Sequence, residues 1–99
     1  MEIRWTNEAE IWMKEIFNFI SKDNENIASE VIVGIYERAQ ILEDHPRIGY
    51  KYRDEPEGEI RILLYGHYRI AYLVGEEKIT VLGVFHGALD IDRYISLQA

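Results

Sequence analysis

Apolar residues recur along this chain with two different periods. Glu2 to Thr6 alternates, with Ile3 and Trp5 on one side, which predicts a short strand. Ala9, Trp12, Met13, Ile16 and Ile20 then follow at steps of three and four, one face of an amphipathic helix over roughly 7–22. Thr6 or Asn7 offers the capping oxygen, and Glu8 and Glu10 suit the positive end of the helix. Lys22-Asp23-Asn24 breaks the period. Ala28, Val31, Ile32, Ile35, Ala39 and Leu42 restore it over roughly 25–43, with Glu30, Glu37 and Arg38 off that face. So short a link makes the two helices antiparallel neighbours. Pro46 disfavours helical geometry at His45 and ends the second helix near Glu43 or Asp44.

The second half changes to strand chemistry. Residues 47–58 are charged, contain Pro56 and Gly58, and read as a loop in which Gly49 relieves a backbone turn. Tyr, Ile, Val and Leu dominate three runs, Glu59–Tyr65, Tyr68–Val74 and Lys78–Phe85. Compact turns at Gly66-His67 and Gly75-Glu76-Glu77 join them into an antiparallel meander. The tail from Ala88 to Leu97 reads as a short last helix or an extended arm. The predicted fold class is α+β: an N-terminal strand pairing at the sheet edge, a two-helix antiparallel hairpin and a three-stranded antiparallel meander, in a two-layer sandwich. The whole of 1–99 is one domain.

Strand parity assigns the faces. Tyr68, Ile70, Tyr72 and Val74 are placed towards the helices, with Arg69, Ala71 and Leu73 opposite. In the preceding strand Ile60, Ile62 and Leu64 are placed inward, with Arg61, Leu63 and Tyr65 outward. In the last strand Ile79, Val81, Gly83 and Phe85 share one face and Thr80, Leu82, Val84 and His86 the other. The outer face then collects Leu63, Leu73 and further apolar groups beside Arg61 and Arg69. Contiguous apolar area there calls for a cover: the C-terminal segment with Leu89, Ile91, Tyr94 and Ile95, a partner, or both sharing the face.

Composition narrows the function classes. The chain of 99 residues carries a formal charge of −7, no cysteine and 47% apolar residues. Its longest apolar stretch, Val31–Tyr36, is far short of the ~18 residues that span a bilayer, so no membrane role is expected. The start lacks a secretory pattern, and the absence of cysteine excludes disulfides and thiolate chemistry, which together point to the cytoplasm. The acidity argues against broad nucleic-acid affinity. It is unevenly spread: residues 1–44 sum to −6, residues 45–75 to +1 and residues 76–99 to −2. The middle third holds Arg47, Lys51, Arg53, Arg61 and Arg69. His45, His67 and His86 lie far apart in sequence without a ligand motif, and the glycines form no phosphate loop, so no metal or cofactor is expected.

In order along the chain, Trp5-Thr6, Ala9 and Trp12, Ala28, Leu42 with His45-Pro46 and Gly49, Arg61, Tyr68-Arg69-Ile70-Ala71-Tyr72-Leu73-Val74 and Val84-Phe85-His86-Gly87-Ala88 resemble the RelE/ParE toxin superfamily of bacterial type II toxin–antitoxin modules. The resemblance spans roughly residues 1–95. It implies a small toxin of the plasmid-stabilisation type that inhibits growth and is neutralised by a cognate antitoxin lying over its sheet and helices. Leu63, Arg69, Leu73 and Leu89 are the candidate partner-binding residues. A homodimer through an uncovered apolar face stays open.

Targets divide within the superfamily. RelE-like members cut messenger RNA on the ribosome, whereas ParE-like members bind DNA gyrase and are not enzymes. Metal-free RNA cleavage needs a base, an acid and cations for the charged phosphorane. Lys51, Arg53, Arg61 and His86 are the catalytic candidates under that reading, with a tyrosine such as Tyr94 as a further candidate. Close relatives place an Arg soon after the His-Gly step, where this chain has Leu89. That substitution and the acidity favour the ParE-like branch. The alternatives are a ribosome-dependent endoribonuclease and an inactive remnant that only binds.

Overall fold

The computed structural model describes residues 1–87 and 91–95. Strand β1 (Glu2–Trp5) leads into α1 (Asn7–Ser21) and α2 (Glu25–Gln40), and a 3-10 turn over Ile41–Glu43 closes the helical part. Strands β2 (Tyr50–Glu55), β3 (Gly58–Tyr65), β4 (Tyr68–Val74) and β5 (Lys78–His86) follow, then a 3-10 turn over Ile91–Arg93. Thr6 rather than Asn7 caps α1, its Oγ1 accepting from the Ala9 amide at 3.0 Å. Asn24 caps α2 in the same way through Ile27 at 3.1 Å. The second helix stops as a regular helix three residues before the predicted end and tightens to 3-10 geometry.

Among the described residues the sheet has the order β1-β5-β4-β3-β2, antiparallel except for the parallel β1–β5 edge. The predicted N-terminal strand does sit at a sheet edge. The charged stretch expected to be a loop instead contains β2, the opposite edge. Tyr50-Lys51-Tyr52-Arg53-Asp54-Glu55 lacks the apolar run of a central strand because an edge strand is half solvated and is commonly blunted by charge and a bulge. Such a bulge lies between Lys51 and Arg53.

The face assignment of β3 is reversed from the predicted one. The two-residue turn pairs Tyr65 with Tyr68, so Leu63 opposes Ile70 and Arg61 opposes Tyr72, all on the helix side. Ile60 and Ile62 oppose Leu73 and Ala71 on the second face. Directly opposed residues share a face, so fixing the turn fixes the whole strand. In β5 neither simple parity holds. Val81 opposes Tyr72 but Gly83 opposes Ala71, leaving Leu82 as an extra residue. This bulge puts Ile79, Val81 and Val84 on the helix side and Phe85 on the second face.

Two apolar clusters therefore share one sheet. Ala9, Met13, Ile35 and Leu42 from the helical layer pack on Leu63, Ile70, Tyr72, Val74 and Val84. On the other face Ile91 and Ile95 cover Ile60, Ile62, Ala71 and Phe85, so the C-terminal segment supplies cover for the second face. Trp12 joins the layers. Among the described residues no strand pairs with β5 beyond Val81 on the β1 side, and there Trp12 of α1 reaches Phe85 (ring centroids 4.9 Å) and Tyr94 (5.3 Å).

Candidate functional site

The basic residues of the middle third collect around β2 and β3, but in separate environments. Arg61 is largely buried, with 16% of its side chain exposed. Its Nε donates to Glu59 at 3.0 Å, and its Nη1 donates to the Gly49 carbonyl and to that of Arg47 at 3.2 Å. The Gly49 amide donates in turn to the Tyr72 hydroxyl at 3.0 Å. Arg61 and Tyr72 thus clasp residues 47–49 against β3. The hydrogen bond from Arg61 holds the Glu59 carboxyl below its ordinary range, reinforced by the charges of Arg61, Arg47 and Lys51. Burial pushes the Tyr72 phenol up, against the opposing pull of the Gly49 amide.

Gly49 is required for a reason other than the predicted one. The positive-φ glycines among the described residues are Gly58 and Gly66, so the chain at Gly49 is not a turn that only glycine can make. A Cβ there would lie 2.5 Å from the Ile62 carbonyl oxygen and 2.8 Å from the Tyr72 hydroxyl. Close approach to β3 excludes a side chain.

Lys51 opposes Arg61 across the β2–β3 pair and forms an exposed ion pair with Asp54 at 2.8 Å. Past the bulge, Arg53 opposes Ile60 and lies on the second face. It pairs with Glu55 and reaches Asp92 at 3.4 Å, while the Tyr52 hydroxyl donates to the same Asp92 carboxylate. These contacts pin the Ile91–Arg93 turn to β2. Tyr94 sits beyond that turn against Trp12 and Phe85.

His86 stands elsewhere. It opposes Tyr68, which opposes Tyr65, whereas Arg61 lies four residues back along β3. Two strand spacings and four residues separate them by about 10 Å across and about 13 Å along the sheet. The fold brings Lys51 and Arg61 together, puts Arg53 on the opposite face and leaves His86 at the far end. Around His86, instead, are Tyr68 (centroids 5.9 Å, edge-on) and His67 (6.3 Å), in a cleft that Arg69 also lines.

The candidate partner-binding residues also separate. Leu63 is 3% exposed and belongs to the helix-side core, so its expected place on the outer face is corrected. Arg69 and Leu73 are on the second face as expected, opposite Leu64 and Ile60. Leu89 lies outside the described residues. Leu64, read from sequence as inward, is 53% exposed. Sequence reasoning missed Tyr52 and Asp92 because each matters only through a neighbour remote in sequence. The signal for Leu64 was present in the two-residue turn.

A family model described as the ParE toxin of the type II toxin–antitoxin system, parDE, matches residues 3–91. The chain belongs to this ParE toxin family. The ParE-type fold is shared with the chromosomal ParDE TA system from P. aeruginosa, at TM-score 0.72 and 19% identity, covering 87% of this chain and 95% of that one. It is also shared with the toxin–antitoxin complex RelBE2 from Mycobacterium tuberculosis, at TM-score 0.64 and 22% identity, covering 86% and 95%. No curated protein matches by sequence. Among the described residues of this ParE-family chain, no helix is long and apolar enough to cross a membrane.

Proposed function

We propose that this chain is a ParE-like toxin that acts in the cytoplasm by binding a protein target, DNA gyrase, to arrest growth in a plasmid-stabilising module, and that a cognate antitoxin neutralises it. The family match over residues 3–91 carries this reading. The arrangement of the basic residues supports it. In-line cleavage of RNA needs base, acid and cation within hydrogen-bond reach of one phosphate. Lys51, Arg53 and Arg61 are each bonded to a carboxylate of the chain, and His86 stands well apart from them. Antitoxin contact is assigned to the second face around Arg69, Leu73 and the exposed Leu64.

The test pairs two measurements on the purified toxin. Inhibition of gyrase supercoiling, with translated messenger RNA left intact in primer extension, is the expected result. New cleavage ends without any effect on supercoiling would overturn the proposal in favour of a ribosome-dependent endoribonuclease using Lys51, Arg53, Arg61 and His86. Induced expression that leaves growth unchanged would identify a binding remnant and overturn it as well.

A further inference from the structure

We propose that Tyr50, Leu64 and Arg69 form a docking surface for an acidic, apolar segment of a partner protein, whose carboxylate seats on Arg69 beside an apolar side chain on Leu64 and Tyr50. This deepens the protein-binding reading above, on which it rests, by naming the chemistry of the segment that meets the second face. Register places the three residues together. Leu64 directly opposes Arg69 across β3 and β4, so the two share a face. Tyr50 opposes Ile62, two residues from Leu64, and a diagonal neighbour is within reach of an aromatic ring. The row crosses β2, β3 and β4, two strand spacings or about 10 Å, which matches about three residues of extended chain.

The C-terminal cover borders this row without burying it. Ile91 and Ile95 pack with Phe85, which opposes Arg69 on the β5 side. Leu64 stays 53% exposed and Tyr50 49% exposed, and neither belongs to the two core clusters. Covering both would remove apolar surface from water next to a cover already in place.

Charge selects the occupant. A chain of net charge −7 repels acidic molecules in general, so an acidic segment needs a local cation. Arg69 supplies it. The cleft at this end is lined by Leu64, His67, Tyr68, Arg69 and His86, with no carboxylate among its described lining residues. A guanidinium carries five N–H donors in a planar fork, so it accepts a carboxylate alongside its other contacts. Arg53 also lies on the second face, but it pairs with Glu55 and Asp92. It sits in the row of Ile60 and Leu73, four residues or about 13 Å along β4 from Arg69. One such cation suits one carboxylate. A nucleic-acid strand needs several along its phosphates, and Lys51, Arg53 and Arg61 are bonded to carboxylates of the chain.

The experiment titrates the tag-free full chain with the peptide acetyl-Leu-Glu-Leu-Glu-Leu-amide and follows backbone amides and the Arg69 side chain by heteronuclear NMR. Saturable shifts centred on Tyr50, Leu64 and Arg69 are expected. Replacing both peptide glutamates by glutamine, or Arg69→Gln in the protein, should weaken binding by about tenfold. Leu64→Ser should weaken it by about fivefold. Val33→Ser, at an exposed position of α2, should leave it unchanged. Circular dichroism verifies folding, and Leu64→Ser with the glutamine peptide decides the matter where Arg69→Gln is not folded. No saturable shift up to about 5 mM peptide, shifts centred on other residues, or equal binding of the glutamine peptide would overturn the surface. Hexauridylate binding the same residues more tightly than the peptide would overturn it in favour of RNA. Neither arm contains gyrase or an antitoxin, so loss of peptide binding and loss of supercoiling inhibition are separate results.

Discussion

Tyr36 shows how one side chain links helices, strand and pH. Its ring packs on Trp5 of β1 with centroids 4.5 Å apart, and its hydroxyl donates to Glu10 of α1 at 2.7 Å. Burial, followed by the hydrogen bond and charge of Glu10, pushes the phenol up to about 12. Below the ordinary phenol value of 10 both the folded and the unfolded chain keep this proton, so its contribution is fully present. Between 10 and about 12 the unfolded chain releases it first, and stability falls as pH rises. Urea unfolding across that window should give a flatter pH dependence for Tyr36→Phe than for the wild type. An identical slope in the two proteins would contradict the assignment. The sequence showed Tyr36 within an apolar stretch, but its partners Trp5 and Glu10 depend on how the helices pack. Gly49 carries the same lesson. Its presence was plain, but the carbonyl of Ile62 that excludes a Cβ there lies on another strand.

At the scale of elements, the helices were legible because period and caps agree, as at Thr6 and Asn24. Strands β3 and β5 were located correctly, but their faces were not. In β3 Ile60, Ile62 and Leu64 form the more apolar set, but both faces of the strand are covered, so hydrophobicity alone does not say which set meets the helices, and register decides. In β5 the bulge at Leu82 switches the face midway. The assignment of β3 is open to a direct test. Leu63→Asp should destabilise the fold by about 3 kcal/mol or more, since it buries an unpaired charge in the helix-side core. Leu64→Asp, at a half-exposed position, should change stability by no more than about 0.5 kcal/mol. Chemical denaturation measures both, and the reverse ranking would restore the parity read from sequence. The edge strand β2 escaped a pattern search because its charges are what an edge requires.

At the scale of the molecule, two apolar clusters lie on opposite faces of one sheet and share β3, β4 and β5. Trp12 of α1 and the pinned Ile91–Arg93 turn tie the second cluster to the rest. Such sharing makes loss of one cluster disruptive to the other, so unfolding should be a single cooperative transition. Trp5 packs against the first cluster and Trp12 against the second. Variants retaining only one tryptophan, Trp5→Phe or Trp12→Phe, report on them separately. In each, fluorescence and far-ultraviolet circular dichroism should give coincident midpoints. Midpoints that separate in the Trp12 reporter alone would show the C-terminal cover melting by itself.

The sequence by itself determined the class of fold, the helical hairpin, the edge position of β1, the central strands and the superfamily. Those features are written locally, in period, caps and turns, or in motifs kept in order along the chain. Tertiary structure alone decided which face of β3 is buried, that the charged stretch pairs as a strand, and that the C-terminal turn covers the second face. It also decided that Arg61 clasps a loop, that His86 stands apart from the basic residues, and that His67 meets His86. Each of these depends on register or on contact between residues far apart in the chain. Local preference is silent there, because opposing positions across a sheet are fixed by pairing and not by either strand alone.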